Sequence, residues 1–230
     1  MNLKILNELE HILQASPQAL KDPQKLKQLI VNTFNVKLGD TTFSNMFELA
    51  EKIDEAILYK YFSKTWRPSS WPVNRSESPI GLDLINDINS LKPSRVLDVG
   101  CGYNEFKGKI DNLLGIDPYN KKADIQVSIL NFSTEELFDV ILALGSINFG
   151  STDKIFAELK KIVDLTAPGG KIFFCVNPGN KHESPESYWV SFYPWTNNFI
   201  TKCATYFNVE ILNLRPEIYD RIHFTWHKKT

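Results

Sequence analysis

The sequence predicts an α/β fold: a mostly parallel sheet flanked by helices, with one antiparallel strand and an N-terminal helical extension. Three observations carry this. From Arg95 onward, short apolar runs alternate with helical stretches, the pattern of right-handed βαβ units. The first run breaks into a glycine turn, VLDVGCGYNEFKG, Val96 to Gly108. Before that point the periodicity is helical. The division falls near Lys92, giving residues 1–92 as the extension and 93–230 as the α/β domain.

The elements follow in order. LKILNELEHIL sets Leu3, Leu6, Leu9 and Leu13 at helical spacing. DPQKLKQLIVNTF opens with Asp22 as N-cap and Pro23 in the first helical position. SNMFELAEKIDEAILYKYF is a longer amphipathic helix with Ser44 as its cap. Ser63 to Pro79 is rich in Pro and Ser and reads as a surface loop pinned by Trp66 and Trp71. IGLDLINDINSL then makes one more helix. Seven strands are expected: RVLDVG, NLLGID, ADIQVSI, FDVILAL, GKIFFCV, FNVEILNL and YDRIHFTWH. STDKIFAELKKIVDLT is the helix between the fourth and fifth, stopping before APGG. The last two strands are close enough around Arg215–Pro216 to form a hairpin, so one of them runs antiparallel.

Composition narrows the function. Across 230 residues, 43% hydrophobic and 23% charged content is that of a globular protein with a real core. A formal net charge of -1 gives no electrostatic case for nucleic acid or an anionic membrane. Cys101, Cys175 and Cys203 are far apart, which suggests reduced thiols and a cytoplasmic setting. His11, His182, His223 and His227 lack metal-ligand spacing, so no metal is expected. The first residues mix charge into their apolar positions, unlike a signal peptide. No apolar run approaches the roughly 20 residues of a membrane helix.

The glycine turn carries the chemistry. In an open α/β sheet, ligands bind beyond the carboxyl ends of the strands. A dinucleotide would want GxGxxG there, but Glu105 occupies the third glycine position and would repel a pyrophosphate. Asp98, two residues before Gly100, suits a ligand bearing an ammonium group. Asp117, ending NLLGID, can accept two hydrogen bonds from the vicinal hydroxyls of a ribose. One acid for an amine and one for a ribose, with a glycine turn between them, fit S-adenosylmethionine better than NAD.

On these residues, 95–178 resembles the core of a class I S-adenosylmethionine-dependent methyltransferase. Four features occur in order: Asp98-Val99-Gly100-Cys101-Gly102, Asp117, the FDVI-type strand from Phe138, and Pro168-Gly169-Gly170. The resemblance implies a Rossmann-like seven-stranded sheet in the order 3-2-1-4-5-7-6. It also implies S-adenosylmethionine as cofactor, with Asp98, Gly100 and Gly102 lining its methionine end and Tyr103 and Asn104 among its binding residues. Asp117 would hold the ribose, Pro118 or Tyr119 the adenine face, and Ser128 and Ile129 the adenine edge. Leu144, Gly145 and Ser146 would lie near the sulfonium. Asn104 stands where many members have a third glycine, and Ser128 where an acid is usual. The stretch from Gly102 to Asp117 leaves room for a helix of only one or two turns.

A small or medium-sized methyl acceptor, or a modified macromolecular group, is expected. The motifs of DNA amino- and cytosine-methyltransferases are absent. Acceptor contacts would come from Asn148 and from the segment after the fifth strand, with His182, Trp189, Tyr193 and Trp195. His182 is the candidate base, and the rings have packing as their alternative reading. Arg67 or Arg75 could bind an acidic group. Two other readings compete. A methyltransferase-fold protein without catalysis would serve binding or assembly, and Asn104 and Ser128 allow it. A nicotinamide oxidoreductase is opposed by Glu105 and Asp98.

Overall fold

The computed structural model describes residues 2–39, 42–63, 81–178, 188–216 and 221–230. They form two compact units. The first holds residues 2–63 and 188–191, and the second holds the remaining described residues.

The helical unit contains α1 (Leu3–Ala15), a 3₁₀ turn (Pro17–Lys21), α2 (Pro23–Phe34) and α3 (Met46–Ser63). α1 buries Ile5, Leu6, Leu9 and Leu13, while Leu3 is exposed. At 100° per residue, Leu3 points roughly 100° away from the centre of that buried face. Asp22 caps α2 by accepting from the backbone N–H groups of Gln24 and Lys25. The cap of α3 is Asn45, one residue later than expected: its side chain accepts from the Glu48 N–H at 3.0 Å. The Glu48 carboxylate reciprocates by accepting from the Ser44 N–H at 2.6 Å.

The second unit holds α4 (Leu84–Ser90), β1 (Val96–Val99), β2 (Leu113–Ile116), β3 (Phe138–Leu144), α5 (Thr152–Leu165), β4 (Thr166–Val176), α6 (Asn197–Tyr206), β5 (Val209–Pro216) and β6 (Ile222–Lys228). Its sheet runs β2-β1-β3-β4-β6-β5. β1, β2, β3 and β4 pair in parallel, and β6 is antiparallel to both β4 and β5. β1 is buried along its whole length, as a central parallel strand should be. The main core gathers Leu97, Ile141, Ile172 and Phe174 with Trp195, Phe224 and Trp226. Phe174 and Phe224 stack at 4.5 Å.

Two expectations need correction. The sheet has six strands among the described residues, not seven. Ala123–Ile129 makes only one bridge, Ile125 to Ile116. Both Asp124 and Ile125 instead donate their N–H groups to the Gly115 carbonyl, which turns the chain off the sheet edge. Nor is there an α-helix between β1 and β2. Asn104, Gly108 and Asn112 all have positive φ (58°, 75° and 55°), and a helix cannot propagate through such residues.

Candidate functional site

Parallel pairing brings the carboxyl ends of β1, β2 and β3 side by side. Beyond β1 the chain bends sharply, with φ of 69° at Gly100 and 55° at Gly102. The N–H groups of Gly100 and Cys101 both donate to the Ile116 carbonyl, at 2.8 and 3.0 Å, tying the turn to β2. A Cβ on Gly100 would sit 2.3 Å from the Ser146 Cβ, so only glycine lets this turn meet the one after β3. At Gly102 a Cβ would meet nothing within 4 Å, so the turn faces open space there.

Asp98 is the last but one residue of β1 and only 3% exposed. Burial, and secondarily the charge of Asp117, push its carboxyl up to about 7. Asp117 is also buried, but its oxygens are satisfied. One accepts from the Gly102 N–H at 3.0 Å, and the other from the N–H groups of Tyr119 and Asn120 at 2.7 and 2.8 Å. A carboxylate offers about four acceptor positions, so three bonds leave about one rather than the two a ribose diol could use.

Asn104 takes the left-handed conformation at φ 58°, and its side-chain amide donates to the Lys122 carbonyl. Tyr103, beside it, is half-buried, with the Lys122 ammonium 5.4 Å from its ring centre. Pro118 is half-buried next to Asp117. Ser128 closes a short turn, its hydroxyl accepting from the Asn131 N–H, while Ile129 is buried in the main core. At the end of β3, Leu144, Gly145 and Ser146 are half-buried. The Ser146 hydroxyl oxygen is itself buried without a hydrogen-bond partner among the described residues.

Of the expected acceptor residues, Asn148, Tyr193 and Trp195 belong to the α/β unit and Trp189 to the helical unit. Asn148 is buried, its side-chain oxygen accepting from the Asn177 N–H at 2.8 Å, and this locks the loop after β3 to the end of β4. Trp195 is 1% exposed, and its indole donates to the Ile147 carbonyl at 2.9 Å. Tyr193 packs edge-on against Trp195 at 5.5 Å. In these two rings the packing alternative describes what the structure contains. Trp189 belongs to the helical unit, edge-on to Phe34 at 4.8 Å. Arg67, Arg75 and His182, with Trp66 and Trp71, lie outside the described residues.

Two charged residues escaped the sequence reading. Asp124 accepts from the Gly115 N–H at 2.8 Å and from the Lys107 ammonium at 2.9 Å. Burial alone would raise its carboxyl, but these partners outweigh it and hold it below the usual range. Arg221, just before β6, is buried, and its guanidinium Nη1 lies 3.4 Å from where a Gly145 Cβ would stand. Cys101 is not an activated nucleophile. Burial, then the charges of Asp98, Asp117 and Asp124, push its thiol far up. Among the described residues no cluster of His, Cys, Asp or Glu could hold a metal ion. No described helix is long and apolar enough to cross a membrane. A cavity of about 680 Å³ is walled by Val31, Val36, Leu38, Ala56 and Tyr59 of the helical unit and contains none of the sheet-edge residues.

No protein-family model matches the chain, and no curated protein matches it. Solved structures do match its fold. The N-methyltransferase NodS of Bradyrhizobium japonicum, in complex with S-adenosyl-L-homocysteine, aligns with a TM-score of 0.51 at 16% identity, covering 75% of this chain and 97% of its own. The 1,6-didemethyltoxoflavin-N1-methyltransferase of Burkholderia thailandensis gives 0.56 at 15% identity, covering 85% and 95%. The magnesium protoporphyrin IX methyltransferase ChlM of Synechocystis, with bound S-adenosylhomocysteine, gives 0.54 at 14% identity, covering 76% and 100%. The chain therefore has the fold of class I S-adenosylmethionine-dependent methyltransferases.

Proposed function

We propose that this chain transfers a methyl group from S-adenosylmethionine to a small or medium-sized acceptor. One observation carries the reading. The buried Asp98 sits beside a second acid, with no cation among the described residues acting on it, next to a glycine turn that opens onto free space. Such a carboxylate is stabilised by a ligand that brings a positive charge. The α-ammonium of S-adenosylmethionine is one. The orphaned Ser146 hydroxyl, across from Gly100, supplies a polar group with capacity to spare on the same rim. The structures similar in fold are methyltransferases with S-adenosylhomocysteine bound, which supports the assignment.

When bound, the cofactor supplies the electrophilic methyl carried on its sulfonium. The chain's own residues position it and exclude water. Asp98 accepts from the ammonium, and Asp117 offers its remaining acceptor position to a ribose hydroxyl. Gly100, Gly102, Tyr103 and Asn104 shape the turn against the methionine end, and Pro118, Ser128 and Ile129 lie toward the adenine. Leu144, Gly145 and Ser146, at the end of β3, would line the site near the sulfonium. For an acceptor that is already nucleophilic, positioning supplies most of the rate, and no acid–base residue is required. His182 is the proposed base where one is needed, and Arg67 and Arg75 are proposed acceptor contacts. Three cysteines far apart in sequence, with no CxxC pair, support a reducing, cytoplasmic setting.

Calorimetric titration with S-adenosylhomocysteine tests this. Binding in the micromolar range is expected, at least tenfold weaker in Asp98→Asn by the usual strength of a charge-assisted hydrogen bond, ~1.5–3 kcal/mol. A flat titration of the parent protein at millimolar ligand would refute the assignment.

A further inference from the structure

Arg221 lies on this edge of the sheet and has no part in the scheme above. β6 pairs antiparallel with β4 in the register Val176↔Ile222, so the start of β6 lies at the carboxyl end of β4. Arg221 therefore faces the same edge as Asp98 and Asp117, but from the other side of β3. In the order β2-β1-β3-β4-β6-β5, the two acids belong to the β2-β1 side and Arg221 to the β4-β6 side, with Gly145 between them.

The geometry of the displacement then assigns Arg221 a place. The nucleophile must approach the methyl from the side opposite the sulfur. A cofactor held by Asp98 and Asp117 leaves the β4-β6 side for the acceptor. Gly145, at φ 93°, has no side chain in the way, and the Arg221 Nη1 lies 3.4 Å from where a Cβ on it would stand. We propose that Arg221 binds an oxyanion of the acceptor, a carboxylate or a phosphate, and so makes the protein selective for acidic acceptors. This rests on the methyltransferase reading and deepens it. Arginine keeps its charge when buried and presents donors in a planar fork that matches both anions. Arg221 already has an interaction partner, and a guanidinium carries five donors in all.

The test uses protein saturated with S-adenosylhomocysteine and three probes of one size: benzoate, phenyl phosphate and benzamide. Saturation-transfer NMR should show binding of benzoate, phenyl phosphate or both, and not of benzamide. The stronger anion identifies the acidic group. Arg221→Gln should weaken the anion by about tenfold or more, and Arg221→Lys by less, since the charge remains without the fork. Affinity for S-adenosylhomocysteine should stay within about twofold in both variants, which also certifies that they fold. Equal binding of benzamide, no anion binding to the parent, or anion binding unchanged in Arg221→Gln would each overturn the inference. A loss of S-adenosylhomocysteine affinity in Arg221→Gln would overturn it too, by returning Arg221 to the cofactor's carboxylate or to the fold. If the parent binds no S-adenosylhomocysteine, the methyltransferase reading fails first, and that result is distinct from all of these.

Discussion

An ionised Asp98 in the unliganded protein sets a negative charge beside Asp117 with almost no water to solvate it, which is why its carboxyl rises to about 7. The consequence for stability has a definite sign. In the unfolded chain the same group ionises near 3.8, so between roughly pH 4 and 7 the native state holds more protons. Stability of the unliganded protein should therefore fall as pH rises through that window. Glu158 acts in the same direction: burial raises it to about 7, against a smaller opposing effect of Lys154. Ligand binding has the opposite sign, because the ammonium needs the ionised form. Affinity for S-adenosylhomocysteine should climb from pH 6 to 8 in the parent and stay nearly level in Asp98→Asn. Melting curves with and without ligand at several pH values measure both trends; a level affinity in the parent would remove Asp98 from the ammonium site. Asp98 and Asp117 could be found from sequence because each ends a strand beside a turn marked by glycine or proline. Arg221 could not, since its position depends on the pairing of β6 with β4, a partner some fifty residues away.

The turns after β1 and β3 interlock. Gly100 faces the Ser146 Cβ so closely that any side chain on residue 100 must displace it, and φ at 100 is positive as well. Gly100→Ala should cost about 1–3 kcal/mol from overpacking, plus the strain of an alanine in the left-handed region. Ser146→Gly removes the atom that is struck. In the double variant the overpacking share should return while the strain remains, so the two changes should be non-additive in chemical denaturation. Strict additivity would mean the turns do not meet. The elements read correctly from sequence are those with a local cause, such as α2 with its Asp22 cap and Pro23. The elements misread lack one. Ala123–Ile129 alternates like a strand, but Ile125 is 43% exposed and gains nothing from joining an edge. The stretch after Gly102 has helical residues, yet three left-handed positions forbid the helix.

At the scale of the whole molecule, the chain leaves the α/β unit after β4, contributes residues 188–191 to the helical unit, and returns at Phe192. The helical unit is thus completed by a segment made far later in synthesis. Asn2 fastens it: its buried side-chain amide donates to the Asp54 carboxylate at 2.9 Å and to the Trp189 carbonyl at 2.7 Å. Phe34 lies against the Trp189 ring, and the Lys4 ammonium lies 5.4 Å from the centre of the Tyr188 ring. No local pattern marks residue 189 as belonging with residue 2, and the aromatic segment reads from sequence as a possible pocket wall. Asn2→Ala leaves two half-buried acceptors without this donor, at a cost of about 1 kcal/mol. The loss should fall on the docking of 188–191 more than on the sheet. Trp189 should become more accessible to iodide quenching, and proteolysis near residues 188–191 should speed up, while affinity for S-adenosylhomocysteine, set by Asp98 and the glycine turn, should hold. If Asn2→Ala instead abolished ligand binding with Trp189 still protected, the segment's attachment to the helices would not depend on this amide.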